Sequence, residues 1–410
     1  MAKCRLCSSE LVLSEMNFGE VPFANNFRAL PKVISNESKY LLQIGICNHC
    51  NLIQHSLNVE PGILFSDYAY FSSVSKFWLE RAKNFADSSL KLFNKKNISV
   101  IEIASNDGYL LKEFVKNGSK VLGIEPAENI ATEAIRNGIP TLIKFFSNDI
   151  VLEIIDTFGI PDLIVANNVM AHAPDINNMI SAIEKLMNDD SIFSVEFPHA
   201  LEMIVNNEFD TIYHEHFFYF TIKSFSSALN KHGLKIIDIE KIDSHGGSLR
   251  IFSVKNSSKR IVNDRKIDIY LEEEQLAKLY SVESLNSMAA CSKKIKDNAI
   301  KFVINEKINN EKIKISFLGA AAKGNTFVNY CGNNLLEYID SIYDETTFKI
   351  GKYYPGTDLK VKNPSLLEID RPDILIILPW NHKDEIIERY KIIKNWGGKF
   401  VMFIPELQIY

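Results

Sequence analysis

Between residues 99 and 265, short apolar runs rich in branched side chains alternate with longer stretches of mixed composition. "VIEIAS" (100–105), "KVLGIEP" (120–126), "DLIVANNV" (162–169) and "SIFSVEFP" (191–198) read as strands buried on both faces, the pattern of a helix-covered parallel sheet. The run from 265 to 307 holds neither proline nor glycine and predicts one or two long connecting helices. Strand–helix alternation then restarts with "KIKISFLGAAAKGN" (312–325), "YIDSIYDE" (338–345), "PDILIILPW" (372–380) and "KFVMFIPEL" (399–407). Upstream, "YLLQIGIC" (40–47) suits a strand of a small β-rich module. The pattern predicts an α/β protein in three parts: an N-terminal module over 1–65, one α/β unit over 66–265 and a second over 266–410.

Composition fits that picture: 410 residues, 46% hydrophobic and 24% charged, are ordinary for a globular chain of about three domains. A net charge of −5 with scattered lysines excludes a nucleic-acid footprint. No apolar run reaches bilayer length, and "MAKCRLCSSE" lacks the apolar core of a secretory signal. The expectation is a cytoplasmic monomer with no membrane partner, in a reducing setting where disulfides are unlikely.

That setting decides how the cysteines read. Cys4 and Cys7 in "CRLC", with Cys47 and Cys50 in "CNHC", offer four thiolates at the spacing tetrahedral zinc prefers. Four ligands leave no open position, so the ion is structural. Cys291 and Cys331 have no partners at useful spacing and read as ordinary thiols.

The first strand runs through "SNDG" into a helix beginning near Tyr109, at the carboxyl edge where open α/β sheets bind ligands. Glu102 precedes the turn; Ser105, Asn106, Asp107 and Gly108 form it. The next strand ends in Glu125 and Pro126, where a carboxylate accepts from ribose hydroxyls, and a third ends in Asn167 and Asn168. The order fits NAD or S-adenosylmethionine. A single glycine and an acid in the turn favour the sulfonium nucleoside over a pyrophosphate. Against this stands a bare structural layer whose polar edge faces water.

"FDTIYHEHFFYFT" (209–221) sets Tyr213, His214, Glu215 and His216 side by side in an aromatic frame. A zinc site on the H-x-H pair needs Glu215 or a distant residue as its third ligand, and H-E-x-x-H is absent. A satisfied polar core suits one histidine better than four successive polar groups. Proton transfer is the preferred reading. An extended segment would split the group over two faces, so an irregular loop is expected. In the second α/β unit Lys323 could meet a diphosphate, Asn325 could cap a helix or bind a ligand, and Trp380 could stack on a base; a tight turn with a surface lysine is nearly as good an account.

Together with "DYAYFSS", "NNVMAHAPD", "GGSLR", "GAAAKGNTF" and "PGT", these motifs resemble the S-adenosylmethionine-dependent sugar-nucleotide C-methyltransferases, over nearly the whole chain. These enzymes add the branching methyl at C3 of 4-keto deoxysugars. The resemblance implies a zinc-binding module, a central Rossmann-like methyltransferase domain and a C-terminal Rossmann-like domain for the sugar nucleotide. It implies His216 as general base with Tyr213 and Glu215 beside it, His172 as a further active-site residue, and Tyr68 or Tyr70 lining a sugar pocket that His214 also faces. Tyr213 or His172 could donate to the enolate oxygen. The expected partner is a dTDP- or GDP-linked 4-keto deoxysugar, with S-adenosylhomocysteine as co-product. The rivals are a sugar O- or N-methyltransferase and a non-catalytic binding protein built on a zinc module.

Overall fold

The computed structural model describes residues 2–31, 37–57, 76–93, 95, 97–244 and 246–410. Three sheets organise it. The N-terminal strands β1 (Leu11–Val21), β2 (Tyr40–Cys47) and β3 (Ile53–His55) form an antiparallel meander.

The central sheet comprises β4 (Ser99–Ile103), β5 (Lys120–Ile124), β6 (Thr141–Leu142), β7 (Leu163–Asn167) and β8 (Ile192–Pro198). A short β9 (Phe218–Tyr219) leaves this body, and the hairpin β10 (Leu234–Ile242) and β11 (Ser248–Lys255) returns to it. Its order is β10-β11-β8-β7-β4-β5-β6, parallel from β6 to β8, with β11 antiparallel to β8. The order reverses at β4, between β5 and β7, which opens a crevice at the strands' carboxyl ends. The four runs read as strands supply β4, β5, β7 and β8. The hairpin, where isoleucines alternate with charged residues, went unread.

Where "one or two" long helices are expected there are two, Asp264–Leu276 and Val282–Asn309. The first is braced by buried Glu274, whose carboxylate lies 2.7 Å from His199 Nε2 and accepts the Ile222 N–H. The third sheet holds β12 (Ile315–Leu318), β13 (Ser341–Tyr343), β14 (Val361–Lys362), β15 (Ile374–Ile377), β16 (Lys399–Met402) and β17 (Gln408–Ile409), in the order β14-β13-β12-β15-β16-β17. Only β17 is antiparallel to its neighbour, so this is a second doubly wound unit. Gly319 follows β12 with φ of 87°, and a Cβ there would overlap the Pro379 ring, so this turn requires glycine.

One feature breaks the three-part division. Strand β9, directly after the Tyr213–His216 turn, pairs antiparallel with β3 and completes the N-terminal sheet in the order β1-β2-β3-β9. The aromatic segment is thereby built into the cysteine module.

Candidate active site

The four cysteines of the two C-x-x-C pairs converge with every Sγ within 4.8 Å of the others. Sγ separations of 3.5, 3.5 and 3.6 Å are far from a disulfide and near the roughly 3.8 Å edge of a tetrahedron with Zn–S of about 2.3 Å. Cys4 is pulled down to about 5 chiefly by its hydrogen bond with Cys50, while the same contact pushes Cys50 up. One thiol ionises at the other's expense, a conflict that a dication removes. The donor set fits zinc and leaves no ligand position for chemistry.

At the crevice the chain after β4 takes left-handed conformations at Ala104, Asn106 and Gly108 (φ 55°, 51° and 76°). Glu125 fixes this turn: its carboxylate accepts from Asn106 N at 3.0 Å and, from its own side, Ala127 N at 2.9 Å. A Cβ at Gly123 would overlap Ser105 Oγ, so bare backbone on β5 lets the turn lie flat. Glu102 is buried against Glu125 and Asp107, and burial first, then those carboxylates, push its pKa well above the usual range. Among the described residues Glu102 Oε2, Ser105 Oγ, Asn167 Oδ1 and Asn168 Oδ1 are buried without a hydrogen-bond partner. Asn167 Oδ1 and Asn168 Oδ1, at the end of β7, are acceptors, and Ser105 Oγ both donates and accepts, a set suited to ammonium and hydroxyl groups. The arrangement fits S-adenosylmethionine better than NAD. Pro126 continues from Glu125 into the helix Glu128–Arg136.

As expected, the 209–221 segment is irregular up to Phe217, after which β9 begins. A 3-10 turn covers Phe209–Thr211, and His216 N closes a further turn onto the Tyr213 carbonyl at 2.9 Å. That turn lays Tyr213 against His216, with ring centroids 4.1 Å apart and planes tilted by 33°, and the phenol Oη lies 2.7 Å from His216 Nε2. His216 Nδ1 lies 3.0 Å from the Thr211 carbonyl. A carbonyl only accepts, so Nδ1 carries the proton and Nε2 presents its lone pair to Tyr213 O–H.

His172 follows the same logic. Its Nδ1 donates to the Glu215 carbonyl at 2.7 Å, and its ring meets His216 edge-on at 4.8 Å. Burial lowers its pKa to about 4, so the ring is neutral with Nε2 as an acceptor. Glu215 is pushed up to about 7 by burial, opposed by N–H groups that include Asn25. The turn is tied to the cofactor edge: His172 ends the 3-10 turn after β7, and Phe217 N donates to the Ala171 carbonyl at 2.7 Å.

Other expected residues lie elsewhere. His214, expected on the sugar side, instead packs edge-on against Phe23 at 5.2 Å, with Nε2 3.2 Å from the Tyr40 carbonyl; the turn sends it toward the cysteine module. Tyr68 and Tyr70 lie outside the described residues. Lys323 Nζ sits 4.8 Å over the Trp380 ring, and its charge opposes the burial that raises Glu208 and Asp210. Trp380 Nε1 donates to buried Asp210 at 2.8 Å. Asn325 lies inside the helix Ala322–Cys331 rather than at its cap, and donates to the Pro355 carbonyl at 2.8 Å.

The C-methyltransferase NovU of Streptomyces niveus is 29% identical over 408 residues, spanning 99% of this chain and 96% of that protein. Three domain families match in tandem: a zinc binding domain at residues 4–65, a methyltransferase domain at 77–239 and a C-methyltransferase C-terminal domain at 243–405. The chain belongs to the C-methyltransferases with an N-terminal zinc module. Solved structures match less of it. The PH0226 protein of Pyrococcus horikoshii OT3 covers 46% of this chain and 95% of its own, at 12% identity and a TM-score of 0.36. The magnesium protoporphyrin IX methyltransferase ChlM of Synechocystis PCC 6803 covers 47% and 87%, at 14% identity and a TM-score of 0.33. Zinc and S-adenosylmethionine are this C-methyltransferase's cofactors, and the donor sets described above fit them. Among the described residues no helix is long and apolar enough to cross a membrane.

Three contributors escaped the sequence. Asn25 lies far from any motif, while Asp210 and Thr211 sit inside the 209–221 run but act through a buried carboxyl and a backbone carbonyl, which residue type alone does not mark.

Proposed function

We propose that this C-methyltransferase methylates C3 of a 4-keto deoxysugar carried on a nucleotide, dTDP or GDP, with His216 as the base. The division of labour we assign is zinc over 1–65, methyl donor over 66–265 and sugar nucleotide over 266–410. The observation that carries the reading is the Tyr213–His216 pair beside His172, at the edge where β7 delivers Asn167 and Asn168. S-adenosylmethionine supplies an electrophilic methyl group there. A C–H next to a ketone is acidic because its electron pair passes to the ketone oxygen as an enolate.

The proton leaves C3 for Tyr213 Oη while the phenol's own proton moves to His216 Nε2, since those atoms share a hydrogen bond already. The Thr211 carbonyl on Nδ1 supports the imidazolium so formed. The enolate carbon would then take the methyl as the ketone re-forms, the electron pair of the broken S–CH3 bond staying on sulfur to give S-adenosylhomocysteine, and His216 later returns its proton to solvent. Burial of Glu215, His216 and the surrounding phenylalanines excludes water that would quench the enolate.

The test is exchange. Incubated in D2O with S-adenosylhomocysteine in place of the methyl donor, the enzyme should replace the C3 hydrogen of a dTDP- or GDP-4-keto deoxysugar with deuterium. A methylated product without exchange, with the methyl on oxygen or nitrogen, would instead establish the O- or N-methyltransferase reading.

A further inference from the structure

The zinc module does more in this fold than bind an ion. It reaches three residues in and just after the base turn, His214, Glu215 and Phe217. His55 Nε2 lies 3.0 Å from the His214 carbonyl, and its backbone N–H donates to the Phe217 carbonyl at 3.3 Å. Glu215 Oε1 accepts from both Asn25 N–H at 3.3 Å and Asn25 Nδ2 at 3.2 Å. Asn25 is itself held from both sides. Phe23 stacks on Tyr40 with centroids 4.4 Å apart, and the backbone of Arg28 exchanges hydrogen bonds with Tyr353 at 3.2 and 2.8 Å. Glu215 then passes the constraint on, because its carbonyl is the acceptor for His172 Nδ1 and the His172 ring abuts His216.

We propose that Asn25 is a positioning residue for methyl transfer: through Glu215 it sets His172 against His216, which makes the zinc module a working part of the active site. The assignment rests on the reading of His216 as the base. A carboxyl this deeply buried cannot find replacement donors in water, so losing the amide leaves Glu215 either displaced or short of a partner. Either outcome moves the carbonyl that orients His172. The cofactor edge, built on β4, β5 and β7, receives no contact from Asn25 in the hydrogen bonds described and should be unaffected.

The experiment compares wild type with Asn25→Ala and the smaller change Asn25→Ser, all zinc-loaded. Zinc content and calorimetric affinity for S-adenosylhomocysteine report folding, and each should stay within about twofold of wild type. Two readouts then test the idea. Methyl-transfer kcat should fall roughly tenfold to a hundredfold, with KM changing much less, as expected when reacting groups are misplaced by a fraction of an ångström. In proton NMR of the substrate-free enzyme, the downfield Nδ1–H resonance of His172 should shift or broaden. Wild-type kcat with an unmoved His172 resonance, in whichever variant keeps its zinc and cofactor affinity, overturns the proposal. The resonance needs no substrate, so it speaks to Asn25 even if C3 exchange fails and the base assignment falls with it.

Discussion

At the scale of residues, the site turns on which nitrogen of each imidazole carries hydrogen. Carbonyl acceptors on Nδ1 settle that for His216 and His172, leaving Nε2 basic in both. His216→Asn removes the proton acceptor while keeping a polar side chain of similar reach. It should lower kcat by about 10²–10⁴-fold, the usual worth of a positioned base, with S-adenosylhomocysteine affinity unchanged. Tyr213→Phe keeps the ring against His216 but breaks the relay, so exchange of the C3 hydrogen and methyl transfer should fall together. A Tyr213→Phe enzyme that exchanges C3 at the wild-type rate would show that the imidazole takes the proton without the phenol. The sequence made the residue types legible because tyrosine, glutamate and two histidines in an aromatic run are chemically out of place. It could not make their roles legible, since the Thr211 carbonyl and Asn25 act through folding geometry.

The elements were readable where periodicity is strong. β4, β5, β7 and β8 are largely apolar, nearly continuously buried runs because both faces of the sheet are covered. The β3–β9 pairing was not readable, because a two-residue strand carries no period and its partner lies far away in sequence. Burying that junction has a pH consequence. His55, His214 and His172 are all held neutral, with pKa values lowered to about 3, 4 and 4, desolvation being the largest cause in each. In the unfolded chain they titrate near 6.5, so the unfolded state gains protons first as pH falls. Their contribution is complete above about pH 6.5 and is lost on the way to pH 4. Glu215, raised to about 7, works oppositely and costs stability as pH rises from about 4.5 to 7. His214→Phe removes one of the three histidines while keeping an aromatic ring beside Phe23. Its melting temperature should lie furthest below wild type near pH 8 and approach or cross it near pH 4.5. A constant offset across that range would mean that His214 is not neutral in the fold.

At the scale of the whole molecule, residues 209–221 are where three bodies meet, and the third contact is the least expected. The C-terminal unit holds the turn from behind: Thr326 Oγ1 donates to the Ile212 carbonyl at 2.7 Å, and Trp380 Nε1 to Asp210 at 2.8 Å. Asp210 is fully buried and adjoins Thr211, whose carbonyl fixes the His216 tautomer. Trp380 therefore bears on the base through two residues, whatever it contributes to a nucleotide. Trp380→Phe keeps an aromatic ring and deletes the N–H, leaving a buried carboxylate short of a donor. That should cost about 1–3 kcal/mol in urea unfolding and lower kcat without changing cofactor affinity. The cause is separable by a cycle. If the indole matters because it satisfies Asp210, then Trp380→Phe should cost far less when Asp210→Ala is already present, with a coupling of at least about 1 kcal/mol. Additive losses would mean that Trp380 acts through packing alone and that the C-terminal unit does not reach the base by this route.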